Sequence, residues 1–65
     1  MSLVLDKPIK KYIWADFRGY ESPVGRTCLL QREDQKNTST VAITSEVIAY
    51  DETMGIIETR NSVYV

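Results

Sequence analysis

The sequence predicts a single small all-β domain over residues 1–65. Three observations carry that expectation. Turn-forming residues interrupt the chain at intervals of about ten residues, the spacing of short strands in a sheet or barrel. The segments between them are rich in β-branched and aromatic side chains. And residues 9–20 alternate between two chemically distinct sets, as a strand's two faces do. The expected architecture is a five- or six-stranded antiparallel barrel or curled sheet.

The first segment, Ile9 to Tyr20, is the most informative. Read as a strand, one face carries Ile9, Lys11, Ile13, Ala15 and Phe17, and is core-like. The other interleaves Tyr12, Trp14 and Tyr20 with Lys10, Arg18 and one acid, Asp16. The same residues also fit a helix over about 7–18, which would give an α+β fold with that helix on an antiparallel sheet. Two features favour the strand. The helical face would bury Asp16, and isoleucines and aromatics crowd the segment.

Gly19 to Gly25 is the next break, with Ser22-Pro23 inside it. Arg26 to Arg32 follows as a short strand, apolar at its centre, so Cys28 is expected to be buried. Glu33 to Ser39 is the most polar turn. Thr40–Thr44 and Val47–Tyr50 read as strands, separated from the last pair by Asp51–Gly55. Ile56–Thr59 and Ser62–Val65 flank Arg60-Asn61, and Asn tolerates φ > 0, so a tight hairpin is expected there. Pairing Thr59 with Ser62 places Ile57 opposite Tyr64 and Ile56 opposite Val65. The hairpin is expected to be integral to the fold, since an exposed apolar strand end invites aggregation.

Composition narrows the function. Eight Lys plus Arg against nine Asp plus Glu give a net charge of −1. That balance disfavours non-specific binding to phosphate. No apolar run approaches the ~20 residues a membrane helix needs. The N-terminus, Met1 to Pro8, lacks a basic stretch followed by an apolar one. A cytoplasmic setting without membrane attachment is therefore expected. One cysteine excludes an intrachain disulfide, and the absence of histidine excludes the usual Cys/His zinc site. A chain this short without either staple often gains stability by self-association, so a homo-oligomer is expected. At this length the size prior also admits a protein carried by a phage or mobile element.

Catalytic chemistry finds no foothold. Nucleophilic triads need a histidine base. Three glycines make no phosphate-cradling loop, and neither Glu33-Asp34 nor Asp51-Glu52 has the alternating spacing of a calcium loop. No catalytic residue, metal or cofactor is expected, and the chain is not expected to be an enzyme. The aromatic and basic stripe remains. As a protein interface, Lys10, Tyr12, Trp14, Arg18 and Tyr20 form the partner-binding set, since Trp, Tyr and Arg dominate interface energetics. Alternatively the aromatics stack on single-stranded bases while the cations meet phosphates. A third possibility buries both faces, with the cations reaching to solvent. The expected function is a non-enzymatic small interaction module that binds a protein partner as a homo-oligomer; a single-stranded nucleic-acid-binding small β-barrel is the alternative, placed second by the acidic balance.

Overall fold

The computed structural model describes residues 7–65. The N-terminal expectations for Met1 to Asp6 lie outside the described residues. Seven short strands follow in order: β1 (Ile9–Lys10), β2 (Tyr12–Asp16), β3 (Leu29–Arg32), β4 (Ala42–Ile43), β5 (Val47–Asp51), β6 (Ile56–Thr59) and β7 (Val63–Tyr64). Glu33–Gln35 forms one turn of 3-10 helix. The strands make a four-stranded sheet, β1-β7-β6-β5, and a three-stranded sheet, β2-β3-β4. The fold is all-β, as two curled sheets that do not close into a barrel, and the helical alternative for residues 7–18 is overturned.

Two details correct the sequence reading. Seven strands stand among the described residues rather than five or six, because the first expected strand is divided between the sheets. It divides at Lys11. On its N-terminal side, Val63 and Val65 N–H groups donate to the Pro8 and Lys10 carbonyls, both at 2.9 Å, and Tyr12 N–H donates to Val65 O at 3.0 Å. The Lys11 carbonyl instead accepts from Glu33 N–H at 2.9 Å, beside β3. One extended segment thus serves both sheets in turn. The expected strands Thr40–Thr44 and Val47–Tyr50 fall in different sheets, parted at Thr44–Glu46. There Thr44 N–H donates to Cys28 O, and Val47 exchanges bonds with Gly25 and Arg26. The other correction concerns direction. β1 runs parallel to β7, with Ile9 beside Val63 and Lys10 beside Tyr64, whereas every other pair is antiparallel.

The core lies between the sheets. Cys28, Leu30, Val47, Ile57 and Tyr64 form its buried cluster, and Tyr12, Ala15, Phe17, Ala42 and Tyr50 pack around it. Phe17 and Tyr50 meet edge to face with ring centroids 5.1 Å apart, a favoured aromatic geometry. Cys28 is buried as expected. Its N–H donates to the Thr44 hydroxyl at 3.0 Å, and that hydroxyl lies 3.6 Å from Cys28 Sγ as its donor. A polar side chain inside the core is thereby satisfied.

The terminal hairpin has the expected register: Ile57 faces Tyr64. Its turn is built differently from the expectation. Arg18 is the only non-glycine with positive φ among the described residues, so Asn61 is not left-handed. The buried Thr59 hydroxyl organises the turn instead. It accepts from Ser62 N–H at 3.0 Å and Asn61 N–H at 3.3 Å, while Thr59 N–H donates to Ser62 O at 2.8 Å. Arg60 N–H ties the turn to Glu46 O at 3.0 Å.

A candidate interaction face on the three-stranded sheet

A bulge in β2 decides which side chains reach solvent. Tyr12 lies opposite Arg32, yet Trp14 lies opposite Gln31, so β2 advances two residues while β3 advances one. The extra residue reverses the alternation of faces. Before it, Tyr12 turns toward the core; after it, Ala15 and Phe17 do. The stripe read from strict alternation is therefore broken. Ile9 and Ile13, assigned to the core side by that alternation, are 58% and 50% exposed, and Tyr12, assigned to the open side, is half-buried.

Tyr12 is fixed as part of the core. Its hydroxyl donates to Gly55 O at 2.6 Å. Gly55 has φ +69°, and a Cβ there would sit 3.4 Å from the Tyr12 hydroxyl oxygen. Glycine is suited to this turn on both counts. Burial raises the Tyr12 phenol pKa, with the nearby Tyr50 and Cys28 adding to the shift.

Trp14 does reach the surface, and it is held there. Its indole N–H donates to Gln31 Oε1 at 3.2 Å across the β2–β3 pair. Gln31 Nε2 donates in turn to the Gln35 and Thr38 carbonyls at 3.1 and 3.0 Å. The glutamine thus links the ring to the loop beyond β3. The neighbouring cross-strand positions on this outer face are Asp16, Leu29 and Ile43, paired in that order. Val41 shares the face of Ile43 by strand alternation. Trp14, Val41 and Ile43 are 41%, 43% and 66% exposed, and Leu29 is half-buried between β2 and β4. The result is an apolar face with one acid and one amide on it.

The other stripe residues go elsewhere. Arg18 and Tyr20 lie in the turn that follows β2, where Asp16 Oδ1 accepts from Arg18 N–H at 2.8 Å. Arg18 and Gly19 both have positive φ, and Tyr20 N–H closes the turn on Phe17 O at 3.2 Å. The Arg26 guanidinium covers the Tyr20 ring at 3.5 Å from its centroid. Lys10 lies on β1 at the far end of the segment and lines an open depression of about 330 Å³ with Ile9, Lys11, Arg32, Glu33 and Asp34. Arg32 Nε sits 3.2 Å from Asp34 Oδ1 there, and the mixture of cations and acids gives the depression no clear charge preference. Of the five predicted residues, the structure places only Trp14 on the apolar face. It brings Leu29, Gln31, Val41 and Ile43 to that face, none of which was named in the partner-binding set. The one available signal was the uncharged run from Thr38 to Ser45.

The nucleophile inventory is equally plain. Burial pushes the Cys28 thiol pKa up, and the Thr44 hydrogen bond only partly offsets it. A raised thiol is a poor source of reactive thiolate at neutral pH. Among the described residues, no group of three or more Cys, Asp or Glu side chains gathers as if to hold a metal ion. No helix among them is long and apolar enough to cross a membrane. Comparison with known proteins finds no matching family model, no matching curated sequence and no matching solved structure.

Proposed function

We propose that this chain is a non-enzymatic, cytoplasmic interaction module that binds a protein partner through the outer face of the β2-β3-β4 sheet. One observation carries the reading: Trp14 is held by Gln31 on an exposed face that also carries Leu29, Val41 and Ile43. A contiguous apolar patch on a small domain commonly marks a contact surface. Tryptophan anchors of this kind carry a large share of interface energy. Fixing the ring before binding lowers the entropy lost on association. No Lys or Arg stands among the paired residues of this face, and the single charge there is Asp16. That composition favours a protein surface over phosphates.

A photo-crosslinking residue at position 14, compared with the same residue at exposed Met54, tests the reading in the native host. Position 14 should give a discrete protein adduct, and position 54 should not. Adducts to nucleic acid, or equal protein adducts from both positions, would overturn it. A Trp14→Ala chain that keeps its fold should lose about 2–4 kcal/mol of affinity for the partner so identified.

A further inference from the structure

The sheets have four outer strands, and they are not equally protected. Natural sheets defend their edges with charges, prolines or bulges. β1 is flanked by Pro8 and carries Lys10. β2 has its bulge and Asp16; β5 has a register shift between Val47 and Ala49 and ends on Asp51. β4 has none of these. From Thr38 to Ser45 the sequence is Thr-Ser-Thr-Val-Ala-Ile-Thr-Ser, without charge, proline or glycine.

We infer that the β4 edge pairs with the same edge of a second copy, antiparallel about a two-fold axis at Ala42. The hydrogen-bond parity of the strand supports this. β3 and β4 pair as Leu29 with Ile43 and Leu30 with Ala42, and Thr44 N–H donates to Cys28 O. In an antiparallel ladder, bonded pairs alternate with non-bonded ones. Ala42 and Thr44 therefore direct their backbone groups toward β3, and Val41 and Ile43 direct theirs away. The open stretch is bounded on both sides. Asn61 N–H donates to Ser45 Oγ at 3.3 Å at one end, and Thr40 N–H donates to Thr38 Oγ1 at 3.1 Å at the other. It is centred on Ala42.

A two-fold axis there places Val41 opposite the second copy's Ile43, and Ile43 opposite its Val41. Both are bonded pairs, so all four outward N–H groups of the two copies meet carbonyls. Their side chains make β-branched cross-strand pairs on the outer face. Ala42 meets Ala42 across the axis, and no like charges oppose each other. The axis stands perpendicular to the sheet. The two apolar faces consequently lie on the same side of one six-stranded sheet, doubling the surface available to a partner. This pairing uses the edge and not the face, so it stands or falls apart from the reading above.

Edge pairing over so few residues buries little area, so a weak dimer at high protein concentration is expected. Sedimentation velocity of the whole chain across a concentration series measures it. The expected result is a concentration-dependent dimer that Ile43→Pro abolishes while strand circular dichroism is retained. Pro is tolerated where an edge N–H faces outward. If Ile43→Pro unfolds the chain, Val41→Lys places a repelling lysine near the contact without altering the backbone. Cross-linking gives an independent measure. Residues in a non-bonded antiparallel pair have Cα atoms about 4.5 Å apart, within disulfide reach. Ala42→Cys should oxidise to a covalent dimer, and Met54→Cys should not. A chain that stays monomeric to near-millimolar concentration would overturn the inference. So would a dimer that survives both edge variants, or one that Trp14→Ala alone removes.

Discussion

The two sheets use similar residues in opposite ways. In the β6–β7 hairpin the polar side chains are buried. Glu58, Thr59 and Ser62 are enclosed alongside Ile57 and Val63. Two of these side chains find partners inside the fold: Lys7 Nζ lies 2.7 Å from Glu58 Oε2 and donates to Thr59 O at 2.8 Å, and the Thr59 hydroxyl closes the turn by donating to Ser62 O at 3.0 Å. In the β2-β3-β4 sheet one face packs on the core through Leu30, Ala15 and Ala42, while Trp14 and Ile43 on the other are left outside. The β6–β7 hairpin is enclosed on both faces; the second sheet leaves one face open to solvent. Hydrophobicity alone does not distinguish these roles. What matters is whether a strand has covering material on one face or on both.

A matched pair of substitutions gives the largest expected difference. Ile57→Ala removes a side chain with no solvent access and should cost about 2–5 kcal/mol. That is enough to leave a small domain largely unfolded. Ile43→Ala removes the same atoms from an exposed position and should stay within about 0.5 kcal/mol. Urea titration of both variants reads the difference directly. Comparable losses at the two positions would mean that the outer face is covered in solution, and the comparison between the sheets would fail.

The buried ion pair comes next. The Lys7 and Glu58 side chains are 15% and 3% exposed, so removing the lysine strands a buried carboxylate. Lys7→Ala should cost about 3 kcal/mol, near the lower end for breaking a buried pair because Lys7 keeps some contact with water. Adding Glu58→Leu to that variant should recover much of the loss, since the charge is then gone as well. Thermal unfolding of the single and double variants checks this. If Lys7→Ala is neutral, the pair is a surface contact in effect.

The smallest effect is an alkaline decline in stability. The Cys28 thiol is raised in the folded state by burial, so between its unfolded and folded pKa values the folded chain holds a proton that the unfolded chain has lost. Raising pH through that window favours unfolding. Stability should be flat below about pH 8.5 and fall above it, with Tyr12 adding to the fall from about pH 10. Melting temperatures from pH 7 upward should show an earlier decline in the wild type than in Cys28→Ala. Identical profiles would show that Cys28 does not titrate differently in the two states.

Local chemistry was legible from sequence. The all-β class follows from turn spacing and β-branched composition. Cys28 beside Leu29 and Leu30 reads as core. The Ile57–Tyr64 register follows from a hairpin joined by two residues, because so short a connection leaves one in-register pairing. These features depend on neighbours within a few positions. The exposed apolar face was not legible in the same way. Whether Ile13 points in or out depends on a bulge, and the bulge depends on how β2 meets Gln31 and Arg32, which lie far along the chain. The parallel pairing of β1 with β7 joins opposite ends of the chain, and no local signal specifies it. One residue of register reverses every side chain that follows. Tertiary pairing therefore decided that Trp14 shares a surface with Leu29 and Ile43 while Tyr12 joins the core, although the sequence places Tyr12 and Trp14 on the same face of a regular strand.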